Sequence, residues 1–196
     1  MRPIVVLTMG RSGSSMIAGC LALQGMWTGI CKPADKYNPK GYFENVKIST
    51  ATGQHYRGSI YDNLLPIQQI PGWKGYVEQV QRDEDYEGGP WLVKVNAFTW
   101  PLWVTFDPIF VFVRRDIQSI VRSASSHDSG VGRWEEIVTA HQVEMNSVKK
   151  MFGGFDIWPQ KLIDGHYMDI VAPLEMVGLK LDREKVSGFV DKSLWH

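Results

Sequence analysis

The stretch from Ile4 to Met26 constrains the fold more than any other part of the chain. Ile4-Val5-Val6-Leu7 is a short apolar, β-branched run, the composition of a buried strand. Thr8-Met9-Gly10-Arg11-Ser12-Gly13-Ser14-Ser15 follows, a glycine- and serine-rich turn. Met16 to Met26 is apolar on nearly all sides and reads as a buried helix. A strand running through a Gly/Ser loop into a buried helix has few architectures open to it.

The remaining elements narrow the choice. Trp91 to Val95 reads as a second strand, and Ile109-Phe110-Val111-Phe112-Val113 is the clearest strand in the chain. Asp116 is placed to cap a helix through about Ser125. Val46 to about Tyr56 and Trp134 to about Phe152 have helical spacing, and Asn38 to Gly41 is a turn. Lys161-Leu162-Ile163 reads as a last short strand, with two short helices near 169–178 and 183–190. Residues 57–90 are broken by prolines and glycines, and the charged run Arg82 to Glu87 reads as a solvated loop or helix face. Strands alternating with helices predict an α/β fold: one domain over 1–196, a three-layer parallel sheet of about four or five strands with helices on both faces.

Composition sets the limits on partners. Lysine plus arginine and aspartate plus glutamate both number 21. That balance argues against broad electrostatic binding to nucleic acid or to an anionic membrane. No apolar run approaches the ~20 residues of a membrane span. Two cysteines, Cys20 and Cys31, are too few for a disulfide framework and carry no zinc spacing, so free thiols in a reducing, cytoplasmic setting are expected. Ile17-Ala18-Gly19-Cys20 has the look of a lipoprotein box, but the polar Arg11 to Ser15 interrupts the apolar region an export signal needs.

Two segments point to anion binding beyond the ends of strands, where parallel sheets hold their ligands. In the first loop, glycines let backbone N–H groups turn inward, the helix start adds free donors, and Arg11, Ser14 and Ser15 add side-chain donors. A plain strand–helix turn with serine caps explains that loop equally well. In the second, Arg115 stands at the strand end and Ser123 lies about two turns along the next helix. Read alone, Arg114, Arg115 and Arg122 are ordinary surface arginines. A nucleoside-triphosphatase loop would place glycine at Thr8 and lysine at Ser14, so that reading is weakened.

The first segment resembles the 5′-phosphosulfate loop of the sulfotransferase family, Thr-x-x-Lys/Arg-Ser-Gly-Thr/Ser-Thr/Ser, at every position. The second resembles that family's 3′-phosphate motif, an arginine followed eight residues later by serine, although Arg115-Asp116-Ile117 lacks the proline many members carry. Asn38 to Glu44 is similar to a segment of bacterial and phage members, and Trp91 to Lys94 and residues 161–196 are similar to further segments of the family. The resemblance implies a P-loop-type α/β fold and a sulfuryl donor, 3′-phosphoadenosine-5′-phosphosulfate (PAPS), with the bisphosphate PAP as product. It implies a cofactor site at Arg11, Ser12, Gly13, Ser14 and Ser15, in which the backbone of Ser12 to Ser15 holds the 5′-phosphate and Arg11 sits near the bridging oxygen and stabilises charge on the leaving phosphate. Arg115 and Ser123 would hold the 3′-phosphate. No metal is implied. The acceptor would be a hydroxyl or amine on a small molecule or glycan.

Sulfuryl transfer also needs a base. Family members with Lys-x-His on the second strand use that histidine; here the position is Asn96, and an amide cannot serve. Other branches use a glutamate after the first helix, and Glu44 matches that position, though a cap partner or surface carboxylate fits it equally. His55 and His127 are weaker candidates, and His141, His166 and His196 have no supporting context. Two rival functions stand beside the transferase: a P-loop nucleotide kinase or NTPase, and a non-catalytic PAPS or PAP binder.

Overall fold

Side-chain alternation along the apolar strands decides the layering. In the computed structural model, which describes residues 1–55, 64–127 and 132–194 with the side chains of His127 and Leu194 excepted, β1 (Ile4–Thr8) is buried throughout. Ile4 and Val6 enter one hydrophobic cluster and Val5 and Leu7 the other, so both faces of the strand are covered. α1 (Ser14–Ala22) follows, then α2 (Val46–His55) and α3 (Trp73–Asp83), before β2 (Leu92–Asn96). β3 (Ile109–Val113) leads through α4 (Ile117–His127) and α5 (Trp134–Phe152) to β4 (Phe155–Ile157). The chain closes with α6 (Pro159–Ile163), α7 (Val171–Glu175) and α8 (Arg183–Phe189).

The four strands form one parallel sheet in the order β2-β1-β3-β4. One face carries Ile17, Ala18 and Leu21 of α1 with Leu162, Leu174 and Val186 of the last three helices. The other carries Ile48 of α2, Trp73, Val77 and Val80 of α3, and Met145 and Val148 of α5. This is the three-layer α/β arrangement expected. Each fully buried aliphatic side chain in these layers contributes about 2 kcal/mol. Among the described residues no helix is long and apolar enough to cross a membrane.

Because β1 lies between β2 and β3, the loops leaving the carboxyl ends of β1 and β3 are neighbours, with Leu7 beside Phe112 in the register. That adjacency positions the site. Asp116 caps α4 as expected, its Oδ1 accepting from the N–H and hydroxyl of Ser119, both at 2.9 Å. The turn at Asn38 to Gly41 closes through Gly41 N–H to the Asn38 carbonyl at 3.0 Å.

Four expectations are corrected. Lys161-Leu162-Ile163 is helical, in α6, and the last strand is the earlier Phe155–Ile157. Pro159 at the first turn pre-sets helical φ, and Gly154 (φ +122) lets the chain run against β3 where a Cβ would meet the Phe110 carbonyl oxygen. The first helix ends at Ala22, not Met26, because Gly25 takes φ +98 in the closing turn. The segment after Gly72 contains a full helix, α3. Glu84, in the charged run read as solvated, is buried: its Oε2 accepts from Ile30 N–H and Asn45 Nδ2, both at 2.7 Å.

Candidate anion-binding site

The β1–α1 loop is shaped by its backbone before any side chain acts. Arg11 sits at φ +65 and Gly13 at φ +86. A left-handed arginine costs about 1–2 kcal/mol, a strain of the kind that collects at functional loops. Gly13 is the N-cap of α1 and no side chain caps the helix, so the serines do not serve as caps. The first amides of α1 to find helical partners are those of Met16 and Ile17, both on the Gly13 carbonyl. The N–H groups of Gly13, Ser14 and Ser15 therefore have no acceptor within the helix. The hydroxyl of Ser12 is turned inward, 2.8 Å from Thr8 Oγ1 and 2.7 Å from the Met9 carbonyl. It braces the loop and leaves only its backbone to face outward.

The structure brings the two distant segments together. Arg11 Nε donates to Ser123 Oγ at 3.0 Å, and Arg115 Nη1 donates to the Arg11 carbonyl at 2.9 Å. A cavity of about 520 Å³ opens over them. Its wall includes Arg11, Gly13, Ser14, Ser15, Glu44, Arg115 and Ser123, which are the predicted site residues apart from the buried Ser12. Lys36, Lys40 and Lys94 join the wall, and Asp191 is the second carboxylate beside Glu44. Positive charge predominates. Arg115 is held below the ordinary arginine value by burial and by the nearby guanidinium groups of Arg11 and Arg122. Crowding cations in this way favours an anion among them.

Glu44 is positioned by an antiparallel pairing of the chain on itself. Lys32 N–H bonds the Glu44 carbonyl and Val46 N–H the Ile30 carbonyl, both at 2.9 Å. Asn45, not Glu44, caps α2, accepting from Ile48 N–H at 3.0 Å. Glu44 is thereby left to point at the cavity, where Oε1 lies 2.9 Å from Lys94 Nζ and Oε2 lies 2.8 Å from Lys32 Nζ. Burial raises its pKa, but Lys94 and then Lys32 outweigh that and hold the carboxyl below its ordinary value.

Lys94 joins the site from β2. It occupies the centre of a buried strand, its side chain only 4% exposed, and donates to Ser15 Oγ at 3.1 Å as well as meeting Glu44. Burial pulls its pKa down and Glu44 only partly restores it. A lysine in the middle of the apolar run Leu92-Val93-Lys94-Val95 is itself a signal, since an unpaired ammonium is rarely buried.

The other candidates lie elsewhere. Asn96 is structural: its Oδ1 accepts from Phe98 N–H at 2.9 Å and its Nδ2 meets His141 Nε2 at 2.8 Å. His141 is fully buried, with Nδ1 on the Ile137 carbonyl at 2.7 Å, and burial pushes its pKa down to about 4. It is a satisfied neutral core histidine. Arg114 ties β3 to β4 through Asp156 at 2.8 Å and to α5 through Gln142 at 2.8 Å. His55 and His166 are exposed and outside the cavity wall. The side chain of His127, residues 128–131 and His196 lie outside the described residues. In comparisons with known proteins, no family model and no curated protein matches this chain.

Proposed function

We propose that the chain is a PAPS-dependent sulfotransferase, with a hydroxyl or amine acceptor on a small molecule or glycan. The observation that carries this reading is the meeting of two sequence segments more than a hundred residues apart, Arg11 with Ser123 and Arg115 with the Arg11 carbonyl, on the wall of one cation-rich cavity. The residues present suit a doubly phosphorylated ligand: the amides of Gly13 to Ser15 with Arg11 for one phosphate, Arg115 and Ser123 for the other. The donor, when bound, supplies an activated sulfuryl group on a phosphosulfate linkage. Glu44 takes the proton from the acceptor O–H or N–H. Arg11 and the amides at the start of α1 receive the charge that collects on the leaving phosphate as its bond to sulfur breaks and the acceptor atom bonds sulfur.

One observation favours a second reading, a non-catalytic binder of the same nucleotide. Asn96 is committed to the core, and Glu44 is engaged by two lysines that weaken it as a base. Following labelled sulfate from PAPS separates the two readings. Transfer to any acceptor in a broad panel, or slow release to water that Glu44→Gln suppresses, is the transferase outcome. Tight nucleotide binding with no transfer and no release is the binder outcome.

A further inference from the structure

We infer that Lys94 is shared between two anions: it holds Glu44 when the cavity carries no anion, and it passes to an anion seated on the β1–α1 loop, which frees Glu44 to accept a proton. The inference rests on the reading of this cavity as an anion site. It adds a coupling that the site residues alone do not imply, namely that the base is armed by the ligand.

The geometry places Lys94 at the branch point. Its ammonium has three donors and makes two contacts, one to Ser15 Oγ on the loop and one to Glu44 Oε1. It lines the cavity from a side chain only 4% exposed. In so dry a place a cation follows the strongest negative charge within reach. A doubly charged anion held by the loop amides beside Ser15 outcompetes a singly charged carboxylate.

What remains around Glu44 cannot replace Lys94. Lys32 stays, but its side chain is 46% exposed, and pairs of that kind are weak. Among the described residues, Cys31 and Tyr42 also lie within reach of the Glu44 charge. Burial raises the pKa of both, that of Tyr42 to about 12, so both are neutral at physiological pH. The Tyr42 hydroxyl is moreover committed to Asp35 Oδ2 at 2.8 Å. With Lys94 withdrawn, the burial that already pushes the Glu44 pKa upward is no longer offset by its nearest counter-charge, and the carboxylate becomes a better proton acceptor.

Anion binding and Glu44 protonation then favour each other, by reciprocity of linkage. The test is a titration of wild type, Glu44→Gln, Lys94→Met and the double variant with adenosine 3′,5′-bisphosphate and with inorganic sulfate, which does not titrate near neutrality. Glu44→Gln should tighten both ligands by about five-fold, the scale of one partly exposed ion pair. Lys94→Met should weaken them, and in its background Glu44→Gln should give no gain. A Glu44→Gln variant that binds these anions equally or more weakly overturns the exchange. A second arm needs no folded Glu44 variant: wild-type affinity for sulfate should rise as pH falls through the Glu44 range, and Lys94→Met should flatten that rise. An equal rise in both proteins is contrary to it. Should wild type bind sulfate with this pattern and ignore the nucleotide, the exchange stands and the sulfotransferase reading fails. Should it bind the nucleotide with no Glu44 effect, the reverse holds. Binding of neither overturns both.

Discussion

Two adjacent arginines leave β3 in opposite circumstances. Arg114 turns toward the β3–β4 edge, where Asp156 and Gln142 receive it and Lys149 shares the carboxylate. Arg115 turns toward the β1–α1 loop, where it donates to the Arg11 carbonyl and lies within reach of the charges of Arg11, Arg122 and Asp116. The first region has closed its electrostatics within the chain. The second gathers Arg11, Lys94 and Arg115 on the wall of one cavity. A charge the fold has neutralised reads as structure, and a charge it has concentrated reads as a binding surface. Sequence spacing alone does not separate the two arginines.

This contrast can be broken by experiment. Arg115→Ala should weaken adenosine 3′,5′-bisphosphate binding by about 100-fold, the loss of one strong charged hydrogen bond, with far less effect on 5′-AMP and little on the urea midpoint. Equal losses for both nucleotides would remove Arg115 from the 3′-phosphate. Arg114→Ala should do the opposite, lowering stability by about 2–3 kcal/mol because the Asp156 carboxylate loses its better-buried partner, while nucleotide affinity stays put. A binding defect in that variant would erase the distinction between the two arginines.

A third test addresses the neutral part of the closed region. His141 has a folded pKa of about 4 against an ordinary 6.5. The unfolded chain therefore takes up a proton that the native chain refuses, and stability falls as pH drops below 6.5 toward 4. Between about pH 7 and pH 5 the loss should be about 2 kcal/mol, visible in urea midpoints. His141→Gln should be less stable at neutral pH but nearly free of that slope; an unchanged slope would place the titrating group elsewhere. The smallest effect belongs to Lys149→Met. Its side chain is 40% exposed, so the change should cost under about 1 kcal/mol. A loss matching that of Arg114→Ala would make Lys149 the main partner of Asp156.

The parts legible in the sequence are those where one residue pattern has one physical meaning. Ile4-Val5-Val6-Leu7 and Ile109 to Val113 are short, β-branched or aromatic apolar runs, the composition of buried strands, and Trp134 to Phe152 is long enough for its period to show. β4 escaped because three residues, Phe155-Asp156-Ile157, have no readable period and carry a charge at the centre. The apolar pair Leu162-Ile163 fits helix and strand alike, and the deciding signal was Pro159. In the site, the spacing of Arg115 and Ser123 was legible but their contact with Arg11 was not, since it depends on β1 and β3 being neighbours. The pairing of Glu44 with Lys94 was hidden for the same reason, as the two residues meet only across the fold.

The central claim is that the cavity over the β1–α1 loop takes a 3′,5′-bisphosphorylated adenosine. Calorimetric titration with adenosine 3′,5′-bisphosphate, run beside ATP with Mg²⁺, tests it most directly. Tight binding of the bisphosphate and little binding of ATP is the predicted result. Strong Mg²⁺-dependent ATP binding with no response to the bisphosphate would contradict the account and turn it toward a nucleotide kinase.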